Sequence, residues 1–287
     1  DSFNHMADTL QQRIAELDEL SEMQQRFVSD VSHELRTPLT TIRLASEVLS
    51  AKASEMDPAQ ARSVELLRTQ VDRFERLLTD LLEISRYDAG RVTLETEQTN
   101  LVRLTEEVCE GLQPLSPSLI EVRALGGYAP IEVDPRRIRR IVTNLVGNAI
   151  EHGEGNAVVV TIDSNQSAVA LTVRDWGVGM SAEATEHVFD RFWRADPSRK
   201  RTLGGTGLGL AIALEDAAVH GGQLEVWSEA GVGTNFRLTL PRSEGAASFL
   251  SPLPLIADEH LTAAGDPQST GGWLRRPMRN LGKRRRS

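Results

Sequence analysis

Phe27-Val-Ser-Asp-Val-Ser-His-Glu-Leu-Arg-Thr-Pro-Leu39 is the stretch from which the rest of the chain can be read. Apolar or ring residues recur at Val28, Val31, Leu35, Pro38, Ile42, Ala45 and Leu49, in gaps alternating between three and four. Such a heptad seam marks helices that pack side by side. With Val28 at position a and Val31 at d, His33 falls at f, on the helix rim farthest from the seam. A bundle therefore presents this imidazole outward, where another domain can reach it. Glu34 follows at once, and Thr37 lies one helical turn on. Pro38 removes a backbone donor, which predicts a bend just past them. Taken alone, a histidine on a polar helix face is a solvated surface residue. The carboxylate, hydroxyl and proline beside it set His33 apart.

The seam has a counterpart. Asp57 suits an N-cap and Pro58 the first position of a second helix, along which Val64, Leu67, Val71, Phe74, Leu78 and Leu81 repeat the spacing. Two such seams do not fill a core in one antiparallel pair, but two copies make a four-helix bundle, so the pattern predicts a homodimer. Residues 27–90 are read as this region, with 27–53 as its first helix. Residues 84–93 switch to turn chemistry and are read as an interdomain hinge. Upstream, Met6, Leu10, Ile14, Leu17 and Leu20 keep helical spacing through residues 1–26, a leader that should run unbroken into the His33 helix.

A chain of 287 residues is long enough for two domains, each with its own core. The net charge of -9 conceals an asymmetry, because Arg275–Ser287 carries seven Arg or Lys and no acid. The acidic body argues against nucleic acid as the main partner. The basic tail suits anionic lipid or an acidic protein, or simply solvation. Cys109 is the single cysteine, so no internal disulfide forms, and its neighbours offer neither a base nor a metal ligand. No apolar run approaches the roughly 20 residues that span a bilayer. The chain starts at Asp1 in mid-pattern, as an excised piece would.

Beyond Thr93 the pattern is mixed, and residues 91–242 are read as an α/β sandwich. Residues 101–113, 136–152, 182–188 and 207–220 read as helices. Residues 157–163, 168–174, 222–228 and 234–240 read as strands, the first two joined by a hairpin turn at 163–168. Residues 243–287, rich in Ser, Gly, Pro and Ala, are expected to be a disordered tail with a basic end.

Four stretches in this second half carry chemistry. In Arg140-Ile-Val-Thr-Asn-Leu-Val-Gly-Asn-Ala-Ile-Glu-His152, Asn144 and Asn148 share one helix face. Two neutral amide oxygens can ligate Mg²⁺ beside phosphates, although helices also hold such pairs by accident. In Val173-Arg-Asp-Trp-Gly-Val-Gly-Met180, a strand ends in Asp175 before Gly177 and Gly179. A buried carboxylate there accepts from an exocyclic amine such as adenine N6; otherwise it is a surface acid in a turn. Val188-Phe-Asp-Arg-Phe-Trp-Arg-Ala-Asp196 sets Arg191 and Arg194 among three aromatics, ahead of Arg199, Lys200 and Arg201. This reads as a mobile lid with cations for the β- and γ-phosphates, Phe189 and Phe192 being largely core. In Gly204-Gly-Thr-Gly-Leu-Gly-Leu-Ala-Ile212, small residues let backbone N–H groups approach phosphate. A Rossmann turn needs a strand before it, where a basic loop stands here, and a Walker loop needs a Gly-Lys-Ser/Thr ending.

SHELRTPL, at 32–39, resembles the phosphoacceptor box of two-component sensor histidine kinases. The four later stretches resemble, in order, the N, G1, F and G2 boxes of the Bergerat-type (GHKL) ATPase domain. FNHMADTLQ, at 3–11, resembles the closing helix of a HAMP linker, the alternative being a plain amphipathic leader. The resemblance implies a helical hairpin that forms a four-helix bundle on dimerisation, followed by an α/β-sandwich ATP-binding domain. It implies ATP and Mg²⁺ as cofactors, a response-regulator receiver domain as partner, and membrane attachment through an upstream segment, with this chain on the cytoplasmic side. On it, His33 is the phosphoacceptor, assisted by Glu34, and Thr37 positions water for dephosphorylating the partner. Nucleotide contacts fall to Asn144, Asn148, His152, Asp175, Gly177, Gly179, Arg194, Arg199, Gly205, Thr206, Gly207, Leu208 and Gly209, with Asn148 on the metal. One departure stands out: many relatives carry Lys or Arg three residues after the metal-binding Asn, where Glu151 stands here. The competing readings are another GHKL-type ATPase and a non-enzymatic dimer scaffold.

Overall fold

Fifty residues, Ser2–Ala51, form one helix, α1, so the leader and the His33 segment are continuous. The computed structural model describes residues 2–52, 56–88, 92–126, 130–194, 206–242 and 249–256. They fall into two compact units. One comprises the described residues of 1–93, 190–193 and 204–215; the other comprises those of 94–189, 194–203 and 216–287.

In the first unit, α1 continues through Pro38. The missing proline N–H leaves a carbonyl one turn back without its usual donor. Just beyond, the Thr40 hydroxyl donates to the Arg36 carbonyl (2.9 Å) and that of Thr41 to the Thr37 carbonyl (3.2 Å). A second helix, α2 (Pro58–Asp88), packs on α1. Its start is the predicted one: Asp57 Oδ1 accepts from the amides of Ala59 (2.9 Å) and Gln60 (3.0 Å), and Pro58 takes the first position. Leu39, Ser46, Val71, Leu78 and Ile84 are buried. The described remainder of the seam is not. Val31, Ile42, Leu49, Leu67, Phe74 and Leu81 keep between 36% and 44% of their surface.

The reading of 84–93 as turn chemistry is corrected by α2, which stays helical to Asp88. The reason is apolar packing. Ile84 is buried with Leu208 and Ile212, and Leu77 and Tyr87 lie against that cluster. Asp80 and Asp88 flank Ile84 at helical spacing on the same face. The Thr206 hydroxyl donates to Asp80 Oδ2 (2.7 Å) and Arg191 Nη1 to Asp88 Oδ2 (2.8 Å).

The second unit is built on a five-stranded sheet in the order β2-β4-β5-β7-β6. Its strands are β2 (Ile120–Ala124), β4 (Val158–Ser164), β5 (Ala168–Asp175), β6 (Gln223–Glu229) and β7 (Gly233–Pro241). β2 runs parallel to β4 and every other pair is antiparallel. A separate antiparallel pair joins β1 (Glu97–Asn100) to β3 (Pro130–Val133). The helices are α3 (Leu101–Leu112), α4 (Pro135–His152), α5 (Ala182–His187) and α6 (Gly209–Val219), the last shared between the two groups of residues. The four strands and four helices expected from the pattern are all present; β1, β2 and β3 were not foreseen. The predicted hairpin turn is closed by Asn165, whose Oδ1 accepts from the Ser167 and Ala168 amides (both 2.8 Å).

Pleating separates two faces of this sheet. Val160, Ile162, Leu171, Val173, Phe236 and Leu238 line one face, and α4, which packs on β4 and β5, seals Ile138, Ile141, Val142, Leu145 and Val146 completely from solvent. Polar residues line the other: Thr172 and Arg174 on β5 oppose Arg237 and Asn235 on β7. Against that second face lies a segment read above as part of a disordered tail. Residues 249–256 are described, and Leu253 is buried. The expectation failed because composition cannot register side-chain donors far away in sequence. Asn165 Nδ2 donates to the Leu250 carbonyl (2.8 Å), Arg237 Nη1 to Leu253 (2.7 Å) and Asn235 Nδ2 to Leu255 (2.9 Å). The remainder of the tail, basic end included, lies outside the described residues.

α4 is set by local rules and one buried ion cluster. Asp134 caps it by accepting from Arg136 N (3.1 Å), with Pro135 at the first position. Arg140 then pairs with the fully buried Asp216 through Nε (2.7 Å) and Nη2 (2.8 Å), and Arg137 Nη1 adds a third bond (3.0 Å). Removing one partner of such a set strands a buried charge, at a cost of about 3–5 kcal/mol.

Candidate functional site

α4 carries Asn144 and Asn148 four residues apart, both half-buried, so their amides share one face of the helix. Glu151 is half-buried one turn beyond Asn148, and His152 ends the helix. The backbone of this end is in use, since the His152 carbonyl accepts from Val178 N (3.2 Å). That bond draws the loop after β5 onto the end of α4.

The loop contains Asp175, the last residue of β5 and only 3% exposed. Its Oδ1 accepts from the amides of Gly177 (3.0 Å) and Thr234 (3.3 Å). Burial pushes its carboxyl up to about 6; the Gly177 amide, the Arg174 charge and the Thr234 amide act in the opposite direction. Arg174 is itself lowered to about 10 by burial, against the raising effect of Asp175. Its guanidinium carbon stands 5.2 Å from the Trp176 ring centroid and 5.1 Å from that of Trp227, a cation held on two aromatic faces. No described residue other than these amides is shown bonding the carboxylate of Asp175, which leaves acceptor capacity for an incoming donor.

Glycine is obligatory at two positions here. A Cβ at Gly177 would sit 1.8 Å from the His152 carbonyl oxygen. Gly179 has φ +60, and its Cβ would come 1.9 Å from the Glu229 oxygen. The turn between β6 and β7 closes on the same loop: Gly231 N donates to the Val178 carbonyl (2.8 Å), and Met180 N to Ser228 Oγ (2.9 Å). Thr234, Ser228 and Asn156, which donates to the Trp176 carbonyl (2.7 Å), are positioning residues that sequence reading missed. Only the Gly-Val-Gly of 231–233 hinted at a tight turn there. The partnership across some sixty residues had no local signal.

The second unit thus holds Asn144, Asn148, His152, Asp175, Gly177 and Gly179, together with the half-buried Arg194. Thr206, Gly207 and Leu208 belong to the first unit, as does Gly209 at the start of α6. Gly207 has φ +80, and its carbonyl accepts from Phe192 N (2.9 Å). Phe192, expected in the core, is 59% exposed with φ +63, because the chain turns there to make this bond. Phe189 does pack, edge-on to Phe236 at 6.2 Å between centroids. The Thr206 hydroxyl, besides donating to Asp80, accepts from Leu208 N (3.2 Å). Arg199 and Gly205 lie outside the described residues. His33 has helical backbone and its side chain lies outside them too; Glu34 and Thr37 are exposed on the same helix. Cys109, read as filler, is buried on α3, and burial raises its thiol to about 11, which makes it inert. Among the described residues no cluster of three or more His, Cys, Asp or Glu could hold a metal.

Comparison with known proteins groups the residues differently, placing 190–193 and 204–215 with the rest of 133–244. The model of the His Kinase A (phospho-acceptor) domain matches residues 23–90. That of the histidine kinase-, DNA gyrase B- and HSP90-like ATPase matches residues 133–244. The chain belongs to the sensor histidine kinase family. Its phosphoacceptor match encloses His33, Glu34 and Thr37, and its ATPase-like match encloses every residue named above from Asn144 to Gly209. Over 274 residues it is 48% identical to the sensor histidine kinase MtrB of Mycolicibacterium paratuberculosis, covering 94% of this chain and 48% of that protein. It is 36% identical over 236 residues to the sensor histidine kinase WalK of Bacillus subtilis, covering 80% of this chain and 39% of that one. The chain spans about half the length of the curated relatives it matches. Among solved structures, full-length ShkA in complex with AMPPNP superposes with a TM-score of 0.65 at 28% identity, covering 75% of this chain and 45% of that one. The fold is also that of the Acinetobacter baumannii histidine kinase AdeS, at a TM-score of 0.54.

Proposed function

We propose that this chain is the core of a protein-histidine kinase, which transfers the γ-phosphoryl group of ATP to His33 and then to an aspartate of a response-regulator receiver domain. The observation that carries the reading is Asp175: a buried carboxylate at a strand end, held by two backbone amides and walled by two glycines that tolerate no side chain. A carboxylate held in this way can accept a hydrogen bond from the amine of adenine. Asn144 and Asn148 then face the phosphates, and Asn148 supplies a neutral oxygen for Mg²⁺. That ion, when bound, offsets charge on the phosphate oxygens. With Glu151 in place of a cation, the positive charge would come from lid arginines such as Arg194 and Arg199 or from elsewhere, with His152 assisting. Gly205, Thr206, Gly207, Leu208 and Gly209 offer backbone N–H groups. Thr206, engaged here with Asp80, would exchange that carboxylate for phosphate.

At His33 the chemistry is nucleophilic. Neutral imidazole keeps a lone pair on one ring nitrogen, which forms the new N–P bond as the bond to the β-phosphate bridging oxygen breaks and ADP leaves. Glu34, next on the helix, holds or accepts the proton of the other nitrogen. In the second step the N–P bond breaks as a receiver carboxylate oxygen takes the phosphoryl group. Thr37 would position water for removing that group again. The exposed residues Val31, Ile42, Leu49, Leu67, Phe74 and Leu81 support a homodimer closed into a four-helix bundle. Residues 1–26, continuous with the His33 helix, would bring conformational change from a membrane-anchored sensor, with this chain on the cytoplasmic side. No described helix is long and apolar enough to cross a membrane.

Incubation with labelled ATP and Mg²⁺ tests this reading. An acid-labile, base-stable phosphoprotein is expected, abolished in His33→Gln and in Asn148→Asp. Steady ATP turnover without phosphoprotein would indicate a different GHKL ATPase. Absence of nucleotide binding in calorimetry would indicate a scaffold.

A further inference from the structure

The segment Phe249–Ile256 reads Phe-Leu-Ser-Pro-Leu-Pro-Leu-Ile. Pro252 and Pro254 bracket the buried Leu253 and have no amide hydrogen, so this stretch cannot extend a sheet as a strand. It binds instead through its carbonyls. Those of Leu253 and Leu255, two residues apart, accept from Arg237 and Asn235, two residues apart on β7 in the opposite direction. A third anchor, Asn165 to the Leu250 carbonyl, fixes the other end at the turn between β4 and β5.

One of these anchors, Asn235, lies close to the carboxylate that matters. Asn235 adjoins Thr234, whose amide bonds Asp175, and Thr234 and Asp175 are register partners. On the neighbouring strands Asn235 opposes Arg174, the residue before Asp175, and Trp227, whose ring supports Arg174. β7 also begins at Gly233, whose Cβ, were there one, would meet the Asp175 carbonyl at 2.2 Å. Freedom at the start of β7 is therefore freedom of the Asp175 site.

We propose that residues 249–256 are a positioning strap, which clamps the start of β7 from the polar face of the sheet and thereby fixes Thr234, Gly177 and the carboxylate of Asp175 for nucleotide. The inference rests on the reading of Asp175 as a nucleotide ligand. Leu253 touches no reacting atom; it acts through β7.

Leu253→Asp in the full chain puts a charge where the strap is buried and releases it. Amide exchange without nucleotide should then accelerate at Thr234 and Gly177 by about tenfold or more, since local opening sets protection there. The KM for ATP in autophosphorylation should rise about tenfold, as a loosened ligand geometry predicts. Transfer from already phosphorylated His33 to a receiver domain needs no ATP, and it should proceed at the unaltered rate. Leu253→Met, which preserves volume, should behave as the parent chain. Arg237→Met, which removes one anchor from the sheet side, should give the same changes at smaller size and serves if Leu253→Asp does not fold. Unchanged exchange at Thr234 and Gly177, or an equal fall in both phosphotransfer steps, would overturn the strap. A parent chain that binds no ATP would overturn the nucleotide reading instead, with the exchange measurement still deciding whether the strap holds β7.

Discussion

α2 and α4 are both amphipathic helices with apolar residues at three-four spacing, yet they end in different states. Ile138, Ile141, Val142, Leu145 and Val146 of α4 are at 0% exposure, whereas Leu67, Phe74 and Leu81 of α2 keep 41–44% of their surface. The difference is the opposing surface. α4 lies on a sheet whose inner rows continue across several strands, so one chain supplies both halves of its core. Apart from its last turns, where Ile84 meets Leu208 and Ile212, α2 packs on α1, and one helix covers only part of a seam. The same pattern therefore signals a finished core in one unit and an interface in the other.

Breaking the interface should have the largest effect. Phe74→Asp with Leu81→Asp places two charges in the seam, and dimerisation measured by sedimentation should weaken at least a thousandfold, about 4 kcal/mol. The hairpin should then melt at a temperature that depends on protein concentration, a dependence the sheet unit does not share. A monomeric parent chain at micromolar concentration would remove the contrast. Next comes the finished core. Leu145→Ala should destabilise the sheet unit by about 3 kcal/mol in denaturant unfolding, leaving the dimer constant unaltered.

The third prediction concerns a residue whose burial is not favourable. Asp175 titrates near 6 in the fold against 3.8 as the ordinary value, because burial disfavours its charge. A group raised in this way contributes stability that is fully present below 3.8 and is lost as pH rises through about 6. Asp175→Asn should therefore stabilise the sheet unit by roughly 2 kcal/mol at pH 7, little at pH 4, and at the same time remove nucleotide binding. In the parent chain, ATP affinity should fall as pH drops below about 6, where the carboxylate gains a proton. The smallest effect is local. Asp57→Ala removes two capping bonds from α2 and should cost about 1 kcal/mol of hairpin stability by thermal melting.

How far the residues alone could be read follows the range of the interactions involved. The cap at Asp57 and the turn at Asn165 depend on neighbours within a few positions, and their outlines were visible in the sequence; the glycines at 177 and 179 were visible too, but the carbonyls of His152 and Glu229 that require them were not. The end of α2 was misread because Tyr87 and Asp88 resemble turn chemistry; Ile84 is kept helical by Leu208 and Ile212, distant in the chain. Phe192 looked like core among its aromatic neighbours but is turned outward by a bond to Gly207. The Pro-rich segment at 249–256 had the composition of a tail and acquired structure from Asn165, Asn235 and Arg237.

The sequence by itself determined the periodicity of both seams, the pairing of a histidine with an adjacent carboxylate, and the identity of an acid at a strand end before two glycines. These follow from backbone repeat, side-chain size and φ freedom, which are local properties. Only the tertiary structure decided that β5 pairs with β7 so that Thr234 meets Asp175, that α4 is sealed while α2 is not, and that residues 249–256 lie on the sheet. Each of those outcomes turns on which surfaces meet across tens of residues, where burial and hydrogen-bond satisfaction of whole elements outweigh the preference of any one segment.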